Sequence, residues 1–309
     1  MDFILVIFGV LGLLWVAVSP FLAERGRPAI TDADRARAKG EWVALSQGVT
    51  YYKWTGAARG PVAILIHGLT TPMIGMETVA EGMGKLGYRV LMYDLYGRGL
   101  SDAPKGKQDR AFFLRQLAEL CGHLDLREDL TIVGYSMGGS IATAFAVENP
   151  HVVKQVMMIA GAGVKLNESR FSAFCRKTPV LGDWAHAMFA RNRMIRELPQ
   201  KGKDAHGDLV LRAQRRQLER RGYLPAILAS RRGILCEIMK DEHRQLSRKG
   251  IPVIAVWARQ DAIIPLRAIA MLAEWNRNAR QEMVDEADHA LPYTHGTELV
   301  DAMRSALSH

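Results

Sequence analysis

One short segment of the chain places a serine where it can act as a nucleophile. Residues 134–138 read Gly-Tyr-Ser-Met-Gly, after the β-prone residues 130–133 and before a run of small, helix-compatible residues. The two glycines permit a sharp turn between strand and helix, because a Cβ at either position would collide with neighbouring backbone. Ser136 would then stand at a helix start, where N–H groups stabilise negative charge. The alternative is an ordinary loop rich in small residues.

A serine needs a base, and the base needs an acid to orient it, before the hydroxyl becomes a good nucleophile. In chains with this strand–turn–helix segment the acid and then the histidine follow the serine. Asp261 comes just after the apolar run 251–257, and His289 follows the predicted strand 281–285. The loops at the carboxyl ends of parallel strands lie at one edge of a sheet. We therefore predict a triad of Ser136, Asp261 and His289.

Other residues compete for these roles. The chain has nine histidines, and His295, six residues after His289, is the main alternative as the base. For Asp261 the alternative is a turn or cap residue before a helix that begins near Pro265. Asp288, the neighbour of His289, is expected to face solvent.

A second apolar run, residues 61–66, predicts a buried strand that ends in His67-Gly68-Leu69. The loop after this strand is the expected source of the second N–H donor of an oxyanion hole. We assign the two donors to the backbone N–H groups of Leu69 and Met137. Each such donor lowers the barrier by about 3–4 kcal/mol. In isolation, His67-Gly68 would indicate only a tight turn.

The elements that must position these residues alternate between strands and helices. Such alternation implies a mostly parallel sheet with right-handed crossovers. Between residues 165 and 249 no run of comparable strand quality is found. The further strands are predicted at 41–46, 49–55 and 152–159, and the helices near 75–86, 110–124, 141–147 and 297–307.

Taken together and in this order, the motifs resemble the serine hydrolases of the α/β-hydrolase superfamily. The resemblance covers residues 41–309 and includes HGL at 67–69, YDLYGRGLS at 93–101 and GYSMGG at 134–139. It implies an α/β-hydrolase fold, a structural role for residues 94–101, and a helical cap over the active site at 165–249. A serine at position 136 argues against membership of those branches of the superfamily whose nucleophile is an aspartate. One departure is Asp288, because a glycine often precedes the family's histidine.

The N-terminal segment predicts a membrane anchor. Residues 3–23 carry no charge and, as a helix rising 1.5 Å per residue, reach about 30 Å, the thickness of a bilayer core. A cleaved signal peptide is the alternative. Against it, Asp2 stands where a basic region is expected, and Pro20 would follow a cut after Ser19. We expect Pro20 to end or kink the helix near the interface.

The residues after this span predict its orientation and the domain order. Basic residues follow the span and none precedes it, which by the positive-inside rule puts the catalytic domain in the cytoplasm. These residues are Arg25, Arg27, Arg35, Arg37 and Lys39. The predicted order is a transmembrane anchor (1–23), a basic linker (24–40), the N-terminal segment of the hydrolase core (41–164), a helical cap (165–249) and the C-terminal segment of the core (250–309).

The net excess of positive charge falls in the predicted cap. Residues 165–249 hold 20 Lys and Arg against 9 Asp and Glu, whereas the whole chain has a formal net charge of +9. Arginines at 212, 215, 216 and 220 have helical spacing, which indicates either a solvated face or a face toward anionic lipid. No nucleic-acid partner is expected, because no binding motif accompanies the charge. The apolar run 223–228 is either the lining of an acyl channel or cap core.

No cofactor and no metal are expected. The sequence has no phosphate-binding loop or dinucleotide fingerprint, and Cys121, Cys175 and Cys236 lack metal-like spacing and fit a reduced compartment. The predicted function is therefore a membrane-anchored serine ester hydrolase. Similarity to membrane-anchored monoacylglycerol lipases implies a lipid-derived ester, such as a monoacylglycerol or lysophospholipid. Alternatives are thioesterase, lactonase or carbon–carbon bond hydrolase activity, or a membrane-tethered binding protein with a basic cap.

Overall fold

The computed structural model describes residues 2–308, which contain one eight-stranded sheet. The strands are β1 (Glu41–Leu45), β2 (Gly48–Gly56), β3 (Val62–Ile66), β4 (Arg89–Tyr93), β5 (Leu130–Tyr135), β6 (Val153–Ile159), β7 (Val253–Ala258) and β8 (Arg280–Val284). Their order across the sheet is β1-β2-β4-β3-β5-β6-β7-β8. Strand β2 is antiparallel to β1 and β4, and the other neighbours are parallel. The predicted α/β-hydrolase fold with a mostly parallel sheet is confirmed.

Helices follow most of the strands and fill the segment between β6 and β7. They are α1 (Asp2–Gly26), α2 (Asp32–Ala36), α3 (Glu77–Lys85), α4 (Arg110–His123), α5 (Met137–Glu148), α6 (Arg170–Lys177), α7 (Leu181–Glu197), α8 (Ala205–Gln217), α9 (Tyr223–Arg232), α10 (Lys240–Arg248), α11 (Arg267–Trp275), α12 (Leu291–Thr294) and α13 (Gly296–Ser308). Short 3₁₀ turns lie at Met73–Met76 and Ile234–Cys236. Within residues 2–308, the segment 165–249 is helical and contains no strand.

The sheet is buried on both faces, because its central strands are apolar on both. Along β3, Ala63 and Leu65 belong to one core, and Ile64 and Ile66 belong to the other. Helices α3 and α13 cover the first face, whereas α4, α5, α10 and α11 cover the second. A strand buried on both faces is continuously apolar, which makes β3 recognisable in the sequence.

Helix α5 begins directly after Ser136, as expected for a serine at a helix start, and extends beyond the predicted bounds near 141–147 at both ends. Its first turn packs closely on the loop after β6, where a Cβ on Gly139 would lie 2.8 Å from the Cα of Gly161. Glycines disfavour a helix in isolation, so the bounds near 141–147 were too short because tertiary packing selects the glycines.

Helix α1 is long and apolar enough to cross a membrane, although a signal sequence would pass the same test. Its most apolar window has a mean hydropathy of 2.5 and is only 6% buried, unlike the core helix of a soluble protein. Pro20 does not end the helix, which continues to Gly26. Pro20 was expected to end or kink the helix, and the expectation that it ends the helix is wrong. A contact that compensates for the proline is described below.

The helices between β6 and β7 have a small core of their own. Tyr223, Leu224 and Ile227 of α9 pack with Ala190 of α7 and with Leu218. Within the apolar run 223–228 these three residues are therefore cap core, whereas Pro225 and Ala226 line a cavity of about 610 Å³ that also contacts Phe21 of α1. The arginines at 212, 215 and 216 are exposed on α8. Helix α10, in contrast, packs against α5 and α11 in the layer next to the sheet.

Candidate active site

Ser136 lies in the tight turn between β5 and α5. Its backbone has φ 51° and ψ −117°, a conformation that non-glycine residues rarely adopt and that costs of order 1–3 kcal/mol. The flanking glycines make the turn possible: a Cβ on Gly134 would lie 2.2 Å from the Gly138 carbonyl oxygen, and one on Gly138 would lie 2.1 Å from the Ile66 carbonyl oxygen. The surrounding backbone therefore excludes any side chain at either position.

The structure brings the three residues of the predicted triad into contact. His289 Nε2 lies 2.9 Å from Ser136 Oγ, and His289 Nδ1 lies 2.7 Å from Asp261 Oδ2. The second carboxylate oxygen, Oδ1, accepts the N–H groups of Ile263 at 2.7 Å and Ile264 at 2.8 Å, which fixes the carboxylate. An acceptor at Nδ1 favours the tautomer whose Nε2 can take the serine proton. The arrangement can therefore generate a nucleophilic serine oxygen.

The competing residues lie elsewhere. The ring nitrogens of His295 contact Lys203 Nζ and Thr294 Oγ1, each at 3.0 Å. Asp288 is exposed, and its carboxylate accepts the N–H of Ala290 at 2.8 Å. The geometry at Ser136 thus favours His289 over His295 and Asp261 over Asp288.

The loop after β3 passes directly beside the serine. A Cβ on Gly68 would lie 3.2 Å from Ser136 Cβ. Within residues 2–308, the N–H groups of Leu69 and Met137 donate no hydrogen bond to the protein. Both groups are therefore free to bind an oxygen at the site.

Arg98 is a buried residue near the site that the sequence analysis did not single out. It is 1% exposed, and its Nε donates to the carbonyl of Leu69 at 3.0 Å. Its other nitrogens donate to Gln108 Oε1 at 2.6 Å, Ser230 Oγ at 2.8 Å and the Ala226 carbonyl at 3.3 Å. Burial lowers the pKa of Arg98 to about 10. This single side chain joins α9 to the loop beside Ser136.

Tyr135 is a second residue that the sequence analysis missed. Its hydroxyl donates to the His289 carbonyl at 2.7 Å, and the two rings lie 5.4 Å apart, centroid to centroid. The contact holds the loop that carries His289 in place.

The helices between β6 and β7 also contact the loop after β3, because Gln214 Nε2 donates to Thr71 Oγ1 at 2.6 Å and Tyr223 donates to the Thr70 carbonyl at 2.9 Å. Long-range contacts of this kind leave no local pattern in the sequence.

The site is largely covered and holds no cluster of metal ligands. Ser136 is 8% exposed, and the side chain of His289 is 18% exposed. Among residues 2–308 no group of three or more His, Cys, Asp or Glu residues could hold a metal ion.

His67, the histidine beside the oxyanion loop, has a structural role. Its Nδ1–H donates to the Gly68 carbonyl at 2.8 Å, and its Nε2 accepts the N–H of Leu95 at 2.9 Å. These bonds require the neutral ring. Burial lowers the pKa of His67 to about 3, so the ring stays uncharged.

We expect acid to destabilise the fold through His67 and two other buried histidines. Burial also lowers the pKa values of His186 and His243 to about 4. Between pH 6.5 and 4 the unfolded chain binds protons that the native chain cannot, so the free energy of unfolding falls as pH falls. Between pH 7 and pH 5 each of these histidines lowers the free energy of unfolding by about 2 kcal/mol. Burial raises the pKa of Asp94 to about 6. Protonation of this carboxylate therefore stabilises the fold as pH falls and offsets about 1 kcal/mol of the loss due to the histidines.

The measurement is denaturant unfolding at pH 7 and pH 5, on the wild type and on His243→Phe. Both ring nitrogens of His243 are buried and have no hydrogen-bond partner among residues 2–308, so phenylalanine removes the titration, breaks no hydrogen bond of that ring and keeps an aromatic ring next to Trp275. This variant should lose about a third of the histidine-dependent change. Equal pH dependence in both proteins would contradict the assignment.

Comparison with known proteins identifies the family. The family model described as serine aminopeptidase, S33, matches residues 57–293. Among curated proteins, the chain is 24% identical over 251 residues to the pimeloyl-[acyl-carrier protein] methyl ester esterase of Aeromonas salmonicida, covering 80% of this chain and 95% of the relative. It is 22% identical over 263 residues to Lipase 1 of Psychrobacter immobilis, covering 77% of this chain and 74% of the relative. An uncharacterized protein of Mycobacterium tuberculosis is 32% identical over 108 residues, covering 35% of this chain but only 31% of the relative's length.

Solved structures share the fold over nearly the whole chain. A carboxylesterase from Nitrososphaera gargenis superposes with a TM-score of 0.70 at 20% identity, covering 87% of this chain and 98% of its own. A bacterial membrane phospholipase A superposes with a TM-score of 0.70 at 18% identity, covering 99% of this chain and 96% of its own. At these identities the likeness establishes the fold.

Proposed function

The chain belongs to the serine aminopeptidase S33 family of α/β hydrolases, and from this premise we propose that it is a membrane-anchored serine ester hydrolase of lipid-derived esters. The observation that carries the proposal is the contact of His289 with both Ser136 at 2.9 Å and Asp261 at 2.7 Å. A binding protein has no need for this arrangement. The expected substrates are monoacylglycerols and lysophospholipids.

In the proposed mechanism, Ser136 Oγ attacks the ester carbonyl while His289 Nε2 takes its proton. Asp261 holds the Nδ1–H tautomer and stabilises the imidazolium that forms. The N–H groups of Leu69 and Met137 bind the oxyanion. His289 then gives the proton to the leaving alcohol, and water attacks the acyl-enzyme by the same route in reverse.

Three observations support a lipid substrate and a membrane location. Helix α1 is apolar and exposed to the outside of the protein. One relative is named Lipase 1, and one structural neighbour is described as a membrane phospholipase A. The arginines at 212, 215 and 216 are exposed, and basic residues near anionic headgroups contribute about 1 kcal/mol each.

We propose the same organisation that the sequence predicts. Residues 1–23 anchor the chain, 24–40 form the basic linker, and 165–249 form a cap over a hydrolase core built from 41–164 and 250–309, with α10 at the end of the cap segment packed on the core. The basic residues that follow α1 favour a catalytic domain on the cytoplasmic side.

The test is a substrate panel assayed with the full-length protein in vesicles of phosphatidylcholine and phosphatidylglycerol. Each buried methylene contributes about 0.8 kcal/mol. We therefore expect kcat/KM for long-chain monoacylglycerol or lysophospholipid to exceed that for a short soluble ester by at least about a hundredfold. Protein carrying Ser136→Ala is the background control.

Two outcomes would contradict the proposal. Preference for the short soluble ester over every long-chain ester would remove the lipid assignment. Hydrolysis of an aminoacyl anilide without hydrolysis of any ester would indicate a peptidase, the activity for which the family is named.

A further inference from the structure

A hydrogen bond ties the helix α1 to the helices between β6 and β7. Pro20 lies inside α1 and has no N–H, so the carbonyl four residues earlier, that of Val16, loses its helical partner. Trp184, at the start of α7, donates its indole Nε1–H to this carbonyl at 3.0 Å. An unpaired carbonyl in an apolar surrounding is costly. The contact therefore satisfies a group that the proline leaves unpaired.

A second attachment lies at the end of α1. Glu24 accepts the N–H of Gly222 at 2.7 Å, and Arg221 Nε donates to the Arg27 carbonyl at 3.0 Å. Val16 and Glu24 are eight residues apart, which is about 12 Å along a helix. The first attachment is to α7 and the second is to the residues just before α9, so together they hold α1 against the helices between β6 and β7. Because Val16 lies within the apolar part of α1, Trp184 sits at a level that a membrane-spanning α1 places within the bilayer.

The connection between α6 and α7 exposes apolar side chains next to Trp184. Val180 is 76% exposed and Leu181 is 62% exposed, and Phe174 on α6 is 46% exposed. We call these three residues the apolar tip. Lys177, the last residue of α6, is exposed beside them. A long basic side chain at such a place can reach the headgroups while its stem lies along lipid.

The backbone of the apolar tip is strained in a way that presents Val180 outward. Val180 has φ 65° and ψ −67°, and the N–H of Leu181 donates to the Pro179 carbonyl at 2.8 Å, forming a γ-turn. This turn is rare, and a β-branched residue at positive φ is unfavourable. Such strain clusters at functional segments.

We propose that the apolar tip inserts into the bilayer leaflet that α1 enters, as a second membrane contact of the protein. The inference rests on the proposed anchoring by α1. The occupant is lipid rather than protein, because Trp184, about one helical turn after Val180 and Leu181, is bonded to the Val16 carbonyl in the apolar part of α1. Interfacial apolar faces typically bury about 5–10 Å deep, which agrees with this level.

The experiment places a fluorescent nitrobenzoxadiazole probe on single cysteines of the full-length protein. Cys236 is exposed and is first changed to serine, whereas Cys121 and Cys175 are buried. Val180→Cys reports the apolar tip, Leu11→Cys reports α1, and Arg127→Cys, where the side chain is 80% exposed, is the aqueous control. The proteins are reconstituted in phosphatidylcholine and phosphatidylglycerol vesicles, with and without a phosphatidylcholine that carries a nitroxide on its acyl chain.

We expect the nitroxide lipid to quench the probes at positions 180 and 11 at least about twofold more than the probe at position 127. If position 11 is quenched and position 180 behaves like position 127, the inference is overturned and the anchor stands. If position 180 is shielded from aqueous iodide but not quenched by lipid, a protein partner covers it and the inference is again overturned. If position 11 is not quenched, the anchoring proposal is overturned, and so is this inference, which rests on it.

A double-mutant cycle tests the role of the Trp184 hydrogen bond. Trp184→Phe keeps an aromatic ring but removes the donor, so the Val16 carbonyl loses its partner and quenching at position 180 should fall about twofold. Pro20→Ala restores the helical N–H to that carbonyl. In the Pro20→Ala background, Trp184→Phe should therefore leave quenching unchanged. An equal loss in both backgrounds would show that the indole contributes only packing, and would overturn the assigned hydrogen bond.

Discussion

Replacement of Ser136 with alanine is expected to lower kcat for ester hydrolysis by about 10⁵- to 10⁶-fold and to abolish labelling by a fluorophosphonate. The proposed mechanism requires an oxygen within reach of His289 Nε2, and alanine removes that oxygen without adding volume. Residual hydrolysis would come only from the oxyanion donors and substrate binding. The measurement is gel-based labelling of membrane fractions, followed by steady-state kinetics on the purified protein.

Two histidine variants serve as a matched pair for this result. His289→Ala should lose labelling nearly as completely, because the serine then has no base. His295→Ala should keep it, since that ring contacts Lys203 and Thr294 instead. Undiminished labelling of Ser136→Ala, or loss of labelling in His295→Ala alone, would contradict the assignment of the site.

Asp261→Asn is expected to lower kcat by about 10⁴-fold while the protein remains folded. The asparagine oxygen can still accept the N–H groups of Ile263 and Ile264, which hold the present carboxylate at 2.7 and 2.8 Å. The amide NH₂ would then face His289 Nδ1 and favour the tautomer whose proton lies on Nε2. That tautomer cannot accept the proton of Ser136. The measurement is kcat together with the thermal midpoint of unfolding.

Asp288→Asn is the control for this variant. Asp288 adjoins His289 in sequence, but its side chain is exposed and accepts a hydrogen bond from the neighbouring Ala290. We expect its kcat to stay within about twofold of the wild type, as is usual for exposed positions. A comparable loss in both variants would indicate general damage to the loop rather than a specific role of Asp261.

The regions of the molecule that local chemistry determines could be predicted from the sequence. Strand β3 is apolar at every position because both its faces are buried, and the glycines around Ser136 are the residues that fit their turn. The carboxyl ends of β5, β7 and β8 meet at one edge of a parallel sheet. The sequence order of Ser136, Asp261 and His289 was therefore enough to predict that the three residues meet.

Contacts between distant segments could not be predicted in this way. Arg98 belongs to a segment interpreted as structural, and its acceptors on α9 lie more than a hundred residues away in sequence. Pro20 was expected to end or kink α1, and it does not end the helix: Trp184, 168 residues from Val16, supplies a hydrogen bond that helical propensity does not consider. The part of α5 that precedes residue 141 likewise depends on Gly139 packing against Gly161. In each case the deciding partner is remote in the chain.

The position of Arg98 couples α9 to the loop that follows β3. Its guanidinium bonds the Leu69 carbonyl and the α9 groups Ala226 and Ser230 at the same time. The Leu69 carbonyl belongs to the peptide group between Leu69 and Thr70, whereas the Leu69 N–H belongs to the peptide group before it. Displacing α9 takes acceptors away from a buried cation, so the hold of Arg98 on this loop must change with it. The position of α9 and the conformation of the loop beside Ser136 are thus thermodynamically linked.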